Sequence, residues 1–160
     1  MTAPDAASPR TVKVLIGSFL VAAIAVTIWG FLVVGEARRT AARTDEEVRA
    51  MAWMLLAVAA RDGAMPESEP AFLDAAGRAS PDTIEPAGAG FPTTRGAAGV
   101  SEEVADLDLP AAFERVRVIF AAGSAPRVVV VGLPTENGTL DEVNGWLEAW
   151  VEARAGASAR

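Results

Sequence analysis

Cysteine, histidine and tyrosine are absent from this chain, and lysine occurs once, as Lys13. Without cysteine there are no disulfides, no thiolate nucleophiles and no cysteine-ligated zinc or iron–sulfur centre. Without histidine the chain lacks the side chain whose ordinary pKa suits acid–base work near neutral pH, and a frequent metal ligand. Lys13 borders a long apolar run, so no Schiff-base lysine is available to a folded pocket. Basic residues are also scarce in the second part of the chain: residues 51–160 hold eight against sixteen acidic ones. An acidic domain repels phosphate backbones, so nucleic acid is not an expected partner. These absences exclude most familiar hydrolase and metalloenzyme constellations. The expectation is a non-enzymatic protein with no catalytic, cofactor-binding or metal residues and no cofactor.

What is present in abundance is apolar sequence. The mean hydropathy of +0.28 is high for a soluble protein, and much of the excess lies in "VKVLIGSFLVAAIAVTIWGFLVV", residues 12–34. Residues 14–35 carry no charge. A membrane-spanning helix needs about 20 apolar residues to cross roughly 30 Å of hydrocarbon. Lys13 closes one end, and Arg38 and Arg39 close the other. Ser18 and Thr27 are tolerable in lipid because a helical hydroxyl can bond to its own backbone. Trp29 stands toward one end, where an indole suits the headgroup boundary. A cleaved signal peptide would have a shorter apolar region and a small-x-small site, of which Gly35-Glu36-Ala37 is a poor version. A soluble core helix of this length would carry a polar stripe. The segment therefore reads as a retained single transmembrane helix, with the lipid bilayer as its first partner.

Two further readings of that helix remain open. Ser18, Ala22 and Ala25 form a small-residue seam that would let another helix approach closely, or reflect only the abundance of small residues. The flanking arginines Arg38, Arg39, Arg43 and Arg49 outnumber the cations before the helix, which argues for a cytoplasmic C-terminal domain. The short N-terminal tail before an uncleaved anchor argues for export. The expectation is an inner (cytoplasmic) membrane protein with an extracytoplasmic C-terminal domain.

The rest of the chain reads as α+β. Residues 1–13 form a short polar tail and residues 14–35 the transmembrane helix. An amphipathic juxtamembrane helix over 36–62 either continues that helix or follows a break. Val48, Met51, Leu55 and Val58 form its apolar face, Asp45 and Arg49 have i,i+4 spacing, and Gly63 with Pro66 ends it. Thr44 and Glu47 have capping-box spacing, which places a possible break at Thr44. Residues 63–110 read as a loop-rich segment: a short helix carrying Phe72 and Leu73, a long surface loop over 77–100, and a helix capped by Ser101 and stopped by Pro110. Residues 111–155 read as an antiparallel hairpin, "RVRVIFA" paired with "RVVVVGL", plus a C-terminal helix. Val116, Val118 and Phe120 share one hairpin face and Arg115, Arg117 and Ile119 the other. The second strand, apolar on both faces, is expected to be the more central. The helix opens with Thr139 and Glu142 at capping-box spacing and buries Leu140, Val143, Leu147, Trp150 and Val151. Gly156 ends it, leaving 156–160 as a tail.

Four patterns bear on chemistry or binding. "VVVVGLP" lacks the glycine-rich loop and lysine of a nucleotide site. Asn137-Gly138-Thr139 is formally a glycosylation acceptor but serves as a turn feeding the helix cap. Glu102, Glu103, Asp106 and Asp108 are dense enough to attract a hard cation, yet match no EF-hand spacing and read as a solvated acidic face. Trp146 and Trp150 are either core residues or, if exposed, the apolar anchors of a binding surface.

The stretch "MAWMLLAVAARDGAMPESEPAFLDA", residues 51–75, where a helix ends at Asp-Gly and is followed by Pro and an apolar segment, resembles a type IV pilin or type II secretion pseudopilin. The resemblance covers residues 14–75. It implies a membrane helix continuing into an amphipathic helix, then a variable loop and an antiparallel sheet. The chain departs from the family at the processing site: Ala22 stands where a glutamate follows the cleaved glycine, counting from Gly17, and too little apolar sequence follows Gly30-Phe31. The expectation is a single-pass membrane protein that displays a small acidic α+β domain for protein–protein interaction or envelope assembly, with protein partners and a pilin-like plan. The alternative is an accessory subunit of a membrane enzyme or transport complex held through its transmembrane helix.

Overall fold

The computed structural model describes residues 9–79, 82–84, 90–101, 108–121, 124–135 and 138–158. The elements run α1 (Pro9–Asp62), α2 (Glu69–Ala76), α3 (Leu109–Phe113), β1 (Val116–Ile119), β2 (Arg127–Val130) and α4 (Thr139–Ser158). The chain divides into two compact units, Met1–Arg39 and Thr40–Arg160. The fold class is α+β: a long apolar N-terminal helix, a two-stranded antiparallel hairpin and a C-terminal helix.

The core of the second unit is built around α1. Val48, Met51, Leu55 and Val58 are at most 1% exposed, but Ala52, Leu56, Ala57 and Ala59, on its other faces, are equally buried, as is Trp53. The segment is therefore not amphipathic, as the spacing suggested, but apolar all round and enclosed, as expected for a helix carrying an unbroken apolar run from Met51 to Ala60. Thr44 does not break it. Its hydroxyl donates to the Thr40 carbonyl at 2.8 Å, the bond a mid-helix threonine makes, and the helix continues through it. Glu47 is engaged by Arg115 rather than by a capping backbone amide. At the other end, Gly63 adopts φ +74 and its N–H reaches the Ala59 carbonyl at 2.8 Å, a left-handed cap that only glycine adopts cheaply.

α2 begins where Ser68 caps the Ala71 amide, and buries Phe72 completely. Phe72 meets the Phe113 ring edge-on, with centroids 5.9 Å apart, and lies 6.4 Å from the Phe120 ring. One aromatic thus ties α2 to α3 and to the end of the hairpin. The expected surface loop over 77–100 is partly a core segment. Thr83 and Thr94 form an antiparallel bridge, the Ile84 amide bonds the Thr93 carbonyl at 2.9 Å, and Ile84, Phe91, Ala98 and Val100 are all buried. Pro110 does not stop a helix but stands in the first turn of α3, behind an Asp108 cap, where its missing N–H has no intrahelical role. The helix expected before it falls mostly on residues 102–107, outside the described residues. At the termini, helix extends beyond both expected limits. Pro9 to Lys13, expected in the tail, already belong to α1, and Gly156 lies within α4, which runs to Ser158.

β1 and β2 pair with Val116 opposite Val130 and Val118 opposite Val128. The inner face carries Val116 and Val128, both fully buried. Among the described residues the sheet has two strands, so β2 is not central as expected. What it has in place of a third strand is Asn144 of α4. In an antiparallel ladder, alternate residues turn both backbone polar groups away from the partner strand. The Val131 amide bonds the Arg115 carbonyl, so Val128 is one of the outward-turned residues. The Val128 N–H donates to Asn144 Oδ1 at 2.8 Å, and Asn144 Nδ2 donates to the Val128 carbonyl at 3.0 Å. One carboxamide supplies the donor and acceptor of a missing strand.

α4 lies over this edge with Val143, Trp146, Leu147 and Trp150 buried. Its first helical hydrogen bond runs from the Glu142 amide to the Gly138 carbonyl at 2.9 Å. That moves the cap one residue back from Thr139, to a glycine at φ +96.

Asn144→Ala leaves the Val128 N–H and C=O without partners at a partly buried edge. It should destabilise the Thr40–Arg160 unit by about 2 kcal/mol, read from the urea unfolding midpoint. Asn144→Asp keeps the acceptor but sets a carboxylate oxygen against the Val128 carbonyl, and should be destabilising as well.

Candidate membrane anchor

The N-terminal part of α1 is the most distinctive surface of the molecule. Val14, Leu15, Ile16, Phe19, Leu20 and Val21 are 60–76% exposed, and large apolar side chains stay exposed as far as Val34. Elsewhere among the described residues, the large hydrophobics exposed in this way are Ile119 and Val131. Contiguous apolar surface of this extent is not stable in water. As helix, residues 14–35 rise about 33 Å, enough to cross the hydrocarbon of a bilayer by length and composition. The two hydroxyls in the run are satisfied internally: Ser18 donates to the Leu15 carbonyl at 3.0 Å and Thr27 to the Ala23 carbonyl at 2.8 Å. Both hydroxyls of the run are thus paired within their own helix. Glu36 and Arg39 face each other one turn apart at 3.8 Å just past the run, where charge resumes. Ser18, Ala22 and Ala25 are exposed, and a methyl group added at Gly17, Gly30 or Gly35 would meet no atom within 4 Å.

Within the second unit, polar side chains lock elements together rather than converge on a pocket. Glu47, buried on α1, accepts two hydrogen bonds from Arg115, at 2.9 Å from Nε and 2.7 Å from Nη2, and Arg43 approaches it at 3.4 Å. The hydrogen bond to Glu47, together with the carboxylate's charge, raises the Arg115 pKa. The guanidinium stays cationic at every working pH and the buried carboxylate keeps its counter-charge. Arg49 spans from α1 to Glu142 of α4 at 2.9 Å and packs against Gly99, where a Cβ would come within 3.0 Å of its Nη1. Arg61 bonds the Ala75 carbonyl of α2 at 2.9 Å while paired with Asp62. These long-range pairs were not legible in the spacing of charges along the chain. The i,i+4 pattern of Asp45 and Arg49 says nothing of Glu142, 93 positions beyond Arg49.

The residues weighed for chemistry fare as follows. Trp146 and Trp150 are 7% and 6% exposed, so of the two readings left open by the sequence the core one holds: both lie on the inner face of α4. Asp108 caps α3 through Oδ1, at 3.4 Å from the Ala111 amide. Glu102, Glu103 and Asp106 lie outside the described residues. Among the described residues no group of three acidic side chains is arranged to hold a metal ion. A cleft of about 260 Å³ opens beside the end of α1, lined by Met65, Pro66, Glu67, Trp150, Val151 and Arg154 among others. It is smaller than the roughly 300–1,000 Å³ of small-molecule sites. The chain matches no protein-family model, and no curated protein or solved structure aligns with it.

Two substitutions check the two halves of this description. Ile24→Arg puts a charge at the middle of the apolar run and should raise the cost of membrane insertion by about 3 kcal/mol, seen as loss of the chain from the integral membrane fraction. Arg115→Met removes the cation from a buried carboxylate. With Arg115 itself 41% exposed, solvent screening reduces the penalty to about 2 kcal/mol, measured by chemical unfolding. Adding Glu47→Gln to Arg115→Met should recover part of that loss.

Proposed function

We propose that this chain is a single-pass membrane protein, held by residues 14–35, whose Thr40–Arg160 unit is an interaction domain of the envelope and carries out no catalysis. The observation that carries the reading is the exposed, uncharged helical run from Val14 to Val34, with its hydroxyls bonded to its own backbone. A water-facing helix has no use for such a surface, whereas a lipid-facing one requires it. The remainder of the chain supports a binding role. Its described long-range polar contacts join α1 to the hairpin and to α4 around an apolar core. In this reading the domain stands on the extracytoplasmic side of the cytoplasmic membrane, in a pilin-like arrangement of anchor, helix and small sheet. A second reading, an accessory subunit of a membrane complex, is favoured by one observation: Ser18, Ala22 and Ala25 lie exposed on one helix face, where small side chains let a neighbouring helix come close.

Carbonate extraction should leave the full chain in the membrane pellet. A reporter active only after export, fused after Arg160, should be active. Recovery of the chain in the soluble fraction would end the anchor reading, and a fusion active only in the cytoplasm would end the pilin-like one.

A further inference from the structure

The outer face of the hairpin differs in charge from the domain that bears it. The register puts Arg115 opposite Val131, Arg117 opposite Val129 and Ile119 opposite Arg127. Directly opposed residues share a sheet face, and on this one Arg117, Ile119, Arg127 and Val131 are exposed. Arg115 is committed to Glu47. Arg117 and Arg127 are exposed and have no hydrogen-bond or ion-pair partner among the described residues. They are diagonal neighbours across the two strands, flanked by Ile119 and Val131, each 54% exposed. An acidic domain thus presents a face of two uncompensated arginines set among exposed β-branched side chains.

The complement lies on the same chain. On α4, Asp141, Gly145, Glu148 and Glu152 fall at i, i+4, i+7 and i+11, and all four are exposed, forming one stripe opposite the buried Val143 and Leu147. Its three carboxylates have no partner among the described residues. At Gly145 a Cβ would meet nothing within 4 Å, so a facing surface can approach closely there. Glu148 and Glu152 are separated by roughly 6 Å as an i,i+4 pair. Diagonal neighbours across an antiparallel pair, such as Arg117 and Arg127, stand roughly 7 Å apart. Within one copy the two surfaces do not meet, because α4 turns its apolar side to the hairpin and its acidic stripe to solvent.

We infer that the outer hairpin face of one copy docks on the acidic stripe of α4 of a second copy, with Arg117 and Arg127 pairing with Glu148 and Glu152, and Ile119 and Val131 closing over Gly145, one turn before Glu148 on the same stripe. The inference rests on the reading of this unit as an interaction domain and names its partner. The contact is heterologous: each copy uses one face and leaves the other free, so the association extends head to tail unless its rotation closes a ring.

The test uses the full chain in a neutral detergent, with sedimentation velocity as the readout. The wild-type chain should associate in a concentration-dependent way, and the association should weaken with added NaCl. Arg117→Glu with Arg127→Glu, and separately Glu148→Arg with Glu152→Arg, should each raise the dissociation constant at least about tenfold. Both pairs are at the surface, and unchanged circular dichroism and unfolding midpoints verify folding. Should either reversal disturb the fold, Arg117→Gln with Arg127→Gln should show a smaller loss in the same direction. Mixing the two reversed chains should restore association, since each then offers the charge the other lacks. A wild-type chain monomeric at all concentrations, association that survives both reversals, or a mixture that stays apart would overturn the inference. So would association seen only when anionic lipid is added. A chain that remains integral to the membrane yet is indifferent to the reversals removes this contact and leaves the anchored reading standing.

Discussion

The fold depends on one helical segment that has no polar side. Between Val48 and Ala59, α1 is buried around almost its whole circumference, and no single sheet or helix can cover such a segment. Buried residues of α2, of the bridge-forming stretch around Ile84 and Phe91, of the hairpin and of α4 share one apolar cluster with it, and Arg61, Arg115 and Arg49 tie α1 to α2, the hairpin and α4. That accounts for a two-stranded sheet, marginal by itself in water, being stable here: its inner valines have a core to join.

Enclosure creates a second constraint, the satisfaction of polar groups near that core. Glu47 is carried inward by its place on α1 and takes a bidentate arginine from the start of the hairpin. The open edge of β2 is closed by the carboxamide of Asn144. Among the described residues no buried side-chain nitrogen or oxygen is left without a partner. The same rule holds in the N-terminal part of α1, where the Ser18 and Thr27 hydroxyls bond to carbonyls of their own helix.

Much of this was legible in the residues. The anchor-like run, the hairpin with its alternating faces and the apolar side of α4 followed from length and periodicity, which are local properties. What was misread depended on distant partners. Thr44 and Glu47 have capping-box spacing, but Glu47 is drawn to Arg115, 68 positions on, and Thr44 makes the i−4 bond of an uninterrupted helix. Pro110 ends a helix or begins one with equal ease, and a cap at Asp108 decided for the latter. The Gly- and Pro-rich stretch over 77–100 shows no period because its buried residues Ile84, Phe91, Ala98 and Val100 stand outside any helix or strand. Trp146 and Trp150 are bulky enough to be anchors or core, and only the position of α4 against the hairpin chose core.

The sequence by itself determined where charge stops and resumes, and so which segment suits hydrocarbon. It also determined that cysteine and histidine chemistry is absent, and that alternating valines would pair as a hairpin, because these follow from composition and from periods of two and 3.6 residues. The tertiary structure alone decided that residues 48–59 are a core rather than an amphipathic face, that Asn144 stands in for a strand, and that, among the described residues, two arginines on one surface and three carboxylates on another have no partner. The reason is physical: burial and pairing are properties of what lies across the gap, and the chain brings those partners together only when it folds.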